Sequence, residues 1–381
     1  MTMAAPTNMS SIQVAIIHLP QLVAQVRAIL AASDAPPATR SPNPETLMRT
    51  GTNLHVHTNH SFSVFASPHA AVAAAVAAGV EAFGIVDFYT TAGYAEFAAA
   101  CAAERLPAVF GIEVVTLDAD AQRDGVLMND PGNPGRTYLC GKAVTRPQHA
   151  GAQALLARLR AVQERRNRAL TAKVDERFRA VLGAAGPTWD AVVGQTPQGN
   201  TTERHVVRAT LHRLIALGGD VGGNYLRLAG AAMPADDVAQ QNDLRARLLK
   251  SGKPCYVAEE ADGFPPIAEG VRLMLDLGAI PTYPVLGNPL TGGEADIAKL
   301  CARLEHLGVR ALELIPARNT DDRVAAVVAE ATRRGWPVFD GTEHNTPALD
   351  PITTRWGMDE RFRPAFRAGA AVALGHQAER A

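Results

Sequence analysis

The segment from Leu54 to Ser63 holds three of the chain's eleven histidines and is the sharpest chemical signal in the sequence. His55 and His57 end a strand-like apolar run, and residues two apart in a strand point to the same face. Two imidazoles that converge on one point suit a divalent metal ion. The pair therefore predicts a metal site at the end of the first strand, whereas His60 fits an exposed loop histidine as well as a ligand.

Short apolar runs alternate with helical patterns after residue 50, and this alternation predicts a parallel sheet, either open or closed into a barrel. The predicted strands are Thr52–Val56, Ala82–Val86, Ala108–Val115, Ala279–Val285, Ala311–Ile315 and Pro337–Phe339. The predicted helices are Pro68–Ala78, Tyr94–Glu104, Ile267–Leu277, Ile297–Leu307 and Asp321–Arg334. Since β/α barrels carry their active sites at the carboxyl ends of the strands, the residues there are the candidates for chemistry.

Two regions depart from this alternation. Residues 150–250 have helical spacing, with predicted helices at Thr202–Leu217 and Asp236–Leu249, and we interpret them as a helical insertion in the barrel that could act as a lid. Residues 1–50 contain two proline-rich interruptions, which are typical of linkers. We therefore divide the chain into an N-terminal helical lead-in and linker, 1–50, and a barrel domain, 51–381.

The near-neutral charge excludes several classes of partner. The 381 residues carry 37 Lys and Arg against 38 Asp and Glu, and this net charge of −1 gives no general attraction to nucleic acid or to an anionic membrane. The four cysteines stand alone, so neither a disulfide framework nor a thiolate zinc site is expected. The first apolar run is too short for a signal peptide or a membrane span. We expect a cytoplasmic protein with a small-molecule substrate.

Several residues near strand ends could bind a metal ion or an anion. Glu113 lies in an apolar run, where a lone carboxylate is costly unless a metal ion or a basic side chain partners it. Arg318 and Asn319 follow the predicted strand Ala311–Ile315, and an arginine fork at a strand end suits a phosphate or a carboxylate. Arg136, in a turn-rich loop, and Lys142, just beyond it, could serve the same purpose. A surface role is equally compatible with each of these basic residues.

The motif H-x-H-T-x-x-S, which begins at His55, resembles the opening motif of the PHP (polymerase and histidinol phosphatase) superfamily, and the resemblance extends over about residues 50–350. It implies a distorted seven-stranded β/α barrel that binds up to three divalent metal ions and hydrolyses phosphate esters. Two ligand positions of the family are aromatic here: Phe62 replaces an aspartate and Phe88 replaces a histidine. These replacements put a full three-metal site in question.

The resemblance also implies roles for residues at later strand ends. Glu113 matches a glutamate that bridges two metal ions, and Asp87 matches an aspartate to which we assign the catalytic task of orienting water or a ligand. His205, at a helix start, and the Glu343-His344 pair after the last strand resemble further metal-ligand positions, with the division between the last two left open. His344 is also a candidate general acid, because a histidine titrates near neutral pH.

These features predict a divalent-metal-dependent hydrolase, in the first place a phosphoesterase that uses a metal-activated water on a small organic phosphate. One or two zinc, manganese or iron ions per chain are expected. Two alternatives stay open: a metal-dependent isomerase or lyase on a sugar-like or keto-acid substrate, and a metal-free binding protein derived from the same fold. The substrate, the metal and the oligomeric state are left open by the sequence.

Overall fold

A computed structural model describes residues 51–287, 289–315 and 318–380, so the predicted lead-in and linker at 1–50 lies outside the described residues. Seven strands form one sheet in the order β1 to β7. The strands are β1 (Thr52–Val56), β2 (Ala82–Phe88), β3 (Ala108–Leu117), β4 (Arg136–Lys142), β5 (Ile280–Val285), β6 (Leu312–Leu314) and β7 (Val338–Asp340). Among neighbours, only β4 runs antiparallel, to both β3 and β5.

Helices surround the sheet and connect its strands. They are α1 (Pro68–Ala77), α2 (Tyr94–Glu104), α3 (Ala119–Arg123), α4 (Ala150–Leu182), α5 (Trp189–Val193), α6 (Glu203–Leu217), α7 (Val221–Ala229), α8 (Asp237–Leu244), α9 (Ile267–Asp276), α10 (Ile297–His306), α11 (Asp321–Arg334), α12 (Arg355–Met358) and α13 (Arg363–Ala378). A π-helical turn, Arg245–Leu249, continues α8, and a 3₁₀ turn spans Ala261–Gly263. The predicted distorted seven-stranded β/α barrel with a helical insertion is confirmed.

The barrel closes between β1 and β7 through backbone hydrogen bonds of the segment that follows β7. The N–H of His57 donates to the carbonyl of Glu343 (2.7 Å), and the N–H groups of Thr342 and Glu343 donate to the carbonyl of His55 (3.0 and 2.8 Å). Inside the barrel, side chains two apart on β1 share one face. The closure therefore holds the two histidines beside Glu343.

The second half of α4 and helices α5 to α8 form a second packing unit beside the barrel. The 33-residue helix α4 joins the two units, because Leu156 and Leu159 pack in the barrel core while Leu170, Val174 and Phe178 pack in a separate cluster with α6 and α7. None of the helices in the described part of the chain combines the length and apolarity needed to span a membrane. The division of the chain at residue 50 stays a prediction.

Several elements were not predicted from the sequence, among them β4. It begins at Arg136, in a segment expected to be a turn-rich loop, and it is the one described strand that runs against its neighbours. Helix α13 was not predicted; it packs its small residues against the barrel, where Ala370 and Ala373 contact the cluster that contains Leu54 and Phe339. The reversal of β4 places Arg136 opposite Leu117, at the end of the sheet where β3 terminates.

The close approach of β7 to β1 gives a stability prediction. A Cβ added at Gly341 would lie 2.1 Å from the Cβ of His55 and 3.0 Å from its Cα and N, so Gly341→Ala must push the closing segment away from β1. We expect the free energy of unfolding to fall by about 3 kcal/mol, as for an overpacked core position.

Urea denaturation followed by circular dichroism measures this change. Gly292→Ala is the matched control, since nothing lies within 4 Å of its added Cβ, and it should change stability by less than about 0.5 kcal/mol. Equal stability of the two variants would contradict this account of the closure.

Candidate metal centre

Three buried side chains converge at the ends of β1 and β3. The Nε2 atoms of His55 and His57 lie 3.2 Å apart, and Oε2 of Glu113 lies 3.2 Å from Nε2 of His57 and 3.8 Å from Nε2 of His55. Nitrogen and oxygen ligands about 2.0–2.1 Å from a tetrahedral zinc ion are separated by about 3.3 Å, so the donor set fits one divalent ion. The structure thus brings three of the predicted metal-ligating residues together at one point.

The second nitrogen of each histidine fixes its tautomer. Nδ1 of His55 donates to Oε2 of Glu313 (2.7 Å), and Nδ1 of His57 lies 3.2 Å from Oγ of Ser61, which itself donates to Asp87 (2.6 Å). A neutral imidazole with its proton on Nδ1 presents the Nε2 lone pair. Both lone pairs therefore face Glu113, as in metal sites whose histidines are oriented by outer carboxylates.

The predicted water-orienting residue, Asp87, is engaged with the loop that follows β1. Its carboxylate is buried and accepts hydrogen bonds from the N–H of Thr58 (2.8 Å) and from the hydroxyl groups of Thr58 and Ser61 (both 2.6 Å). Three short hydrogen bonds on one carboxylate hold the loop rigidly. This geometry gives Asp87 a positioning role toward His57 through Ser61; its assignment as a catalytic residue stays a prediction.

The electrostatics of Glu113 call for a cation. Burial raises the pKa of Glu113 to about 8, although His55 acts in the opposite direction, and Oε2 accepts no hydrogen bond from the described residues. Burial also lowers the pKa of His57, so its imidazole is neutral and can act as a ligand. A divalent ion would favour the ionised carboxylate that an apolar site disfavours. The residues present therefore fit a bound metal ion.

A buried ion pair contacts His55, one of the three converging side chains. Glu313 is fully buried between His55 and Lys142, and the ammonium of Lys142 also donates to the carbonyl of Leu54 (2.8 Å). Burial opposes ionisation, but His55 and Lys142 lower the pKa of Glu313 to about 2. Sequence reasoning missed Glu313 as a site residue and placed Lys142 with the substrate. The structure instead places Lys142 in the barrel interior, where it neutralises Glu313.

His205 is buried at the start of α6 and takes part in a capping box. Its Nδ1 accepts a hydrogen bond from the N–H of Thr202 (2.9 Å), and burial lowers its pKa to about 3. The neutral ring then carries its proton on Nε2, which therefore has no lone pair for a metal ion. The edge of the ring faces Phe62, with the ring centres 5.0 Å apart. The geometry gives His205 a helix-capping role through Nδ1, while its buried Nε2 has no hydrogen-bond partner among the described residues. Its assignment as a metal ligand stays a prediction.

Glu343 and His344 diverge although they are adjacent. The Nε2–H of His344 donates to the carbonyl of Asp350 (2.9 Å), and its Nδ1 lies 2.8 Å from the Thr342 hydroxyl, so both nitrogens are used in fixing the loop. Glu343 faces the cavity above the histidines and binds Arg318, with Nη2 to Oε2 at 2.5 Å. His344 is thus not placed as a ligand or an acid, and Glu343 is held by a side-chain cation.

Two adjoining cavities open above the centre. The inner cavity, of about 440 Å³, contains Glu113 and Glu343 in its wall together with Arg204 and Arg318. The outer cavity, of about 600 Å³, lies between the barrel and the insertion, and Arg136 in its wall pairs with Glu259 and lies over the Phe264 ring. Phe88, Tyr138, Thr202, Glu203 and Arg245 line both cavities. The predicted anion-binding residues Arg136 and Arg318 thus both face cavities.

The environments of Asn319 and Arg204 differ from the expectation from sequence. The amide of Asn319, predicted to bind substrate, donates to the carbonyls of Val285 and Ile315 (both 3.0 Å) and ties the ends of β5 and β6. Arg204 was not predicted, yet it lines the inner cavity and has no carboxylate within ion-pair distance among the described residues. Its position next to His205 at a helix start was the one available signal.

Both aromatic replacements lie in the site. Phe88 stacks on His57 with ring centres 4.7 Å apart, and it lines both cavities. Phe62 lies in the wall of the inner cavity, between His205 and the guanidinium of Arg208. Neither ring can donate a lone pair to a metal ion. The replacements therefore leave one compact ligand set and give it an apolar wall.

The family model of the PHP domain matches residues 53–251, which include the metal-site motif, the barrel strands β1 to β4 and most of the insertion. The chain therefore belongs to the PHP domain family. Family membership supports a metal-dependent hydrolase in general and a small-molecule substrate. No curated protein sequence matches the chain.

Solved structures share this fold. A proposed metal-dependent phosphoesterase from Bifidobacterium adolescentis superposes with a TM-score of 0.59 at 19% identity, covering 86% of this chain and 98% of its own. An amidohydrolase from Chromobacterium violaceum, solved with sulfate and without metal, gives a TM-score of 0.55 at 19% identity, covering 80% and 93%. At this identity the likeness concerns the fold.

The buried pair of Glu313 and Lys142 gives a prediction that separates stability from metal binding. Glu313→Met leaves the Lys142 ammonium buried without its counterion and should lower the free energy of unfolding by about 3–5 kcal/mol. It also removes the acceptor of His55 Nδ1–H, so metal affinity should fall about 10–100-fold.

The double variant Lys142→Met/Glu313→Met is the matched test. Removing both charges should restore most of the stability, while metal affinity stays reduced because His55 still lacks its acceptor. Chemical denaturation and calorimetric metal titration give the two quantities. Wild-type metal affinity in the double variant would mean that Glu313 has no orienting role.

Proposed function

We propose that the protein is a divalent-metal-dependent phosphoesterase that hydrolyses a small organic phosphate in the inner cavity. The observation that carries the proposal is the arrangement of two guanidinium groups, Arg204 and Arg318, in the wall of the same cavity as the Glu113 carboxylate of the metal centre. Arginine forks match the oxygens of a phosphate group. The proposed ligands are His55, His57 and Glu113, and the identity of the ion stays a prediction among zinc, manganese and iron.

The metal centre would supply the nucleophile. A divalent ion held by His55, His57 and Glu113 would lower the pKa of a bound water molecule and would offset negative charge on the phosphate. In the hydrolysis the water oxygen bonds to phosphorus, the ester P–O bond breaks, and one proton ends on the released alcohol. The products are the alcohol and inorganic phosphate. Hydrogen bonds of Nδ1 to Glu313 in His55 and to Ser61 in His57 leave the Nε2 atoms of both rings facing Glu113.

The protein's own cations would hold the phosphate. Arg204 is half-buried, and its only hydrogen-bond partner among the described residues is the Asn242 amide oxygen (2.9 Å). Burial is the main cause that lowers the pKa of Arg204 to about 10; Arg245 and Arg318 act in the same direction, while Glu203 and Glu343 oppose them. An incoming dianion would favour the charged guanidinium that burial disfavours. Arg204 therefore supplies an anion-binding group from the insertion, opposite Arg318 of the barrel.

The outer cavity offers room for the alcohol part of the ester. Its wall includes the rings of Tyr89, Tyr138, Tyr256 and Phe264, together with Arg136 and its partner Glu259. Aromatic rings supply apolar contact area, and the charged pair supplies polar contacts at one edge. The shared residues Phe88 and Thr202 mark where the two cavities meet. We therefore propose a substrate whose alcohol part extends from the metal centre under the insertion.

The apolar wall favours one further candidate. Phe88 and Phe62 face the inner cavity, and Phe88 stacks on His57. A metal-dependent isomerase or lyase acting on a sugar-like or keto-acid substrate would also use such a site. Turnover of a phosphate-free substrate, with no phosphate released from a broad panel of esters, would select this candidate over the phosphoesterase.

One prediction of the proposed function concerns the metal ligands. Protein purified without added ions should contain metal by elemental analysis, and His57→Ala should lose it because one of three converging ligands is removed. Hydrolysis of the best ester in a panel should then fall to background, and a chelator should do the same to the wild type. His306→Ala, an exposed histidine on α10, is the control and should keep both properties. Full metal content in His57→Ala would refute the site.

Another prediction of the proposed function concerns Arg204. Arg204→Ala removes a charged hydrogen-bond donor to phosphate, which contributes about 2 kcal/mol, so kcat/KM should fall about 30-fold. Inhibition by inorganic phosphate should weaken by a similar factor, because the product uses the same group. Arg272→Ala, an exposed arginine on α9 paired with Asp276, serves as the control. Unchanged phosphate inhibition in Arg204→Ala would remove this residue from the phosphate site.

A further inference from the structure

Three glutamates lie in or around the centre, and each needs a positive charge. Glu113, Glu313 and Glu343 are all at most 5% exposed. Lys142 neutralises Glu313, and Arg318 binds Glu343 through two contacts, Nη2 to Oε2 at 2.5 Å and Nη1 to Oε1 at 3.2 Å. Only Glu113 faces the histidine nitrogens without a lysine or arginine partner among the described residues.

The barrel closure fixes the backbone of Glu343, and Arg318 holds its carboxylate. Its backbone is left-handed, with φ of 62°, and both its N–H and its carbonyl are bonded to β1 and the residue after it. The ligand atoms of His55, His57 and Glu113 all lie within 4.8 Å of one another, and the carboxylate of Glu343 is not part of this group. The fork with Arg318 is therefore part of the closed structure.

Phe62, Phe88 and the loop after Glu343 supply neither a carboxylate nor a free imidazole for an ion. Phe62 and Phe88 present carbon, and both nitrogens of His344 are used by its own loop. Asn345 and Thr346 complete this side of the cavity with neutral groups. A second divalent ion at Glu343 would have to displace a guanidinium already at hydrogen-bond distance.

We infer that the centre binds one divalent ion, and that the Arg318 guanidinium takes the place of a second ion by bridging Glu343 and a phosphate oxygen. A guanidinium has five N–H donors, and Glu343 engages two Nη atoms, which leaves other donors for the substrate. A fixed cation of this kind stabilises charge that develops on phosphoryl oxygens. The catalytic part of this inference rests on the proposed phosphoesterase function, whereas the metal count does not.

Metal titration of the chelator-treated full chain tests the count. The wild type should saturate at one Mn²⁺ or Zn²⁺ ion per chain by calorimetry and by elemental analysis after gel filtration. Glu343→Gln should keep that stoichiometry and an affinity within about 3-fold, whereas the matched variant Glu113→Gln should lose at least 100-fold. Saturation at two ions, or loss of an ion in Glu343→Gln, would overturn the inference.

A second measurement tests the role of the guanidinium. Arg318→Ala should keep its one metal ion but lose about 10²–10³-fold in kcat, as when a group that stabilises transition-state charge is removed. Added guanidinium at non-denaturing concentration should restore part of the rate in Arg318→Ala and none in Glu113→Gln. Arg318→Lys should recover less than guanidinium does, because an ammonium lacks the fork.

The outcomes separate the two proposals. If one ion binds with the expected variant pattern but no ester in the panel releases phosphate, the proposed function fails and the metal count stands. If esters are hydrolysed by a protein that binds two ions, the proposed function stands and the inference fails. Hydrolysis with one ion but without guanidinium rescue, in Arg318→Ala that melts like the wild type, would also overturn the role given to Arg318.

Discussion

The chain of contacts from Lys142 through Glu313 to His55 is the constraint on which the rest of the centre depends. A charge that is buried alone costs several kcal/mol, so each of these groups is tolerable only when the others are in place. They come from β4, β6 and β1, which are far apart in sequence and meet only in the closed barrel. The orientation of the proposed metal ligand His55 therefore depends on closure of the barrel.

The same logic explains why the site tolerates aromatic residues at ligand positions. Phe88 stacks on His57, and Nδ1 of His57 contacts Ser61, which in turn donates to Asp87. The imidazole is therefore held by packing as well as by hydrogen bonds. Phe62 meets the edge of His205, which is occupied with the start of α6. Phe88 thus stiffens the remaining ligand His57, and Phe62 packs on the helix cap of α6.

Local patterns in the sequence predicted much of this structure. The H-x-H motif, the strand ends and five barrel helices follow from periodicity and turn residues, and α2 and α11 match the predicted bounds. Partnerships between distant residues could not be predicted in this way. Glu313 reads as an ordinary strand residue until β6 is placed beside β1, and Lys142 reads as a surface lysine until the reversed β4 turns it inward. His205 and His344 carry the right chemistry, but Nδ1 of His205 and both nitrogens of His344 are already used by local hydrogen bonds.

The insertion sets the second half of the site by a separate charge arrangement. Glu203 binds Arg166, Arg245 and Lys250, which come from α4, the π-helical turn and the residue after it, and burial is outweighed by these cations, which lower the pKa of Glu203 to about 2. These ion pairs fix the first turn of α6, which carries Arg204 in the wall of the inner cavity. In the proposed function, metal binding and substrate binding therefore depend on different buried charges. Substitutions in the insertion should then alter the choice of substrate while the barrel keeps the proposed metal site.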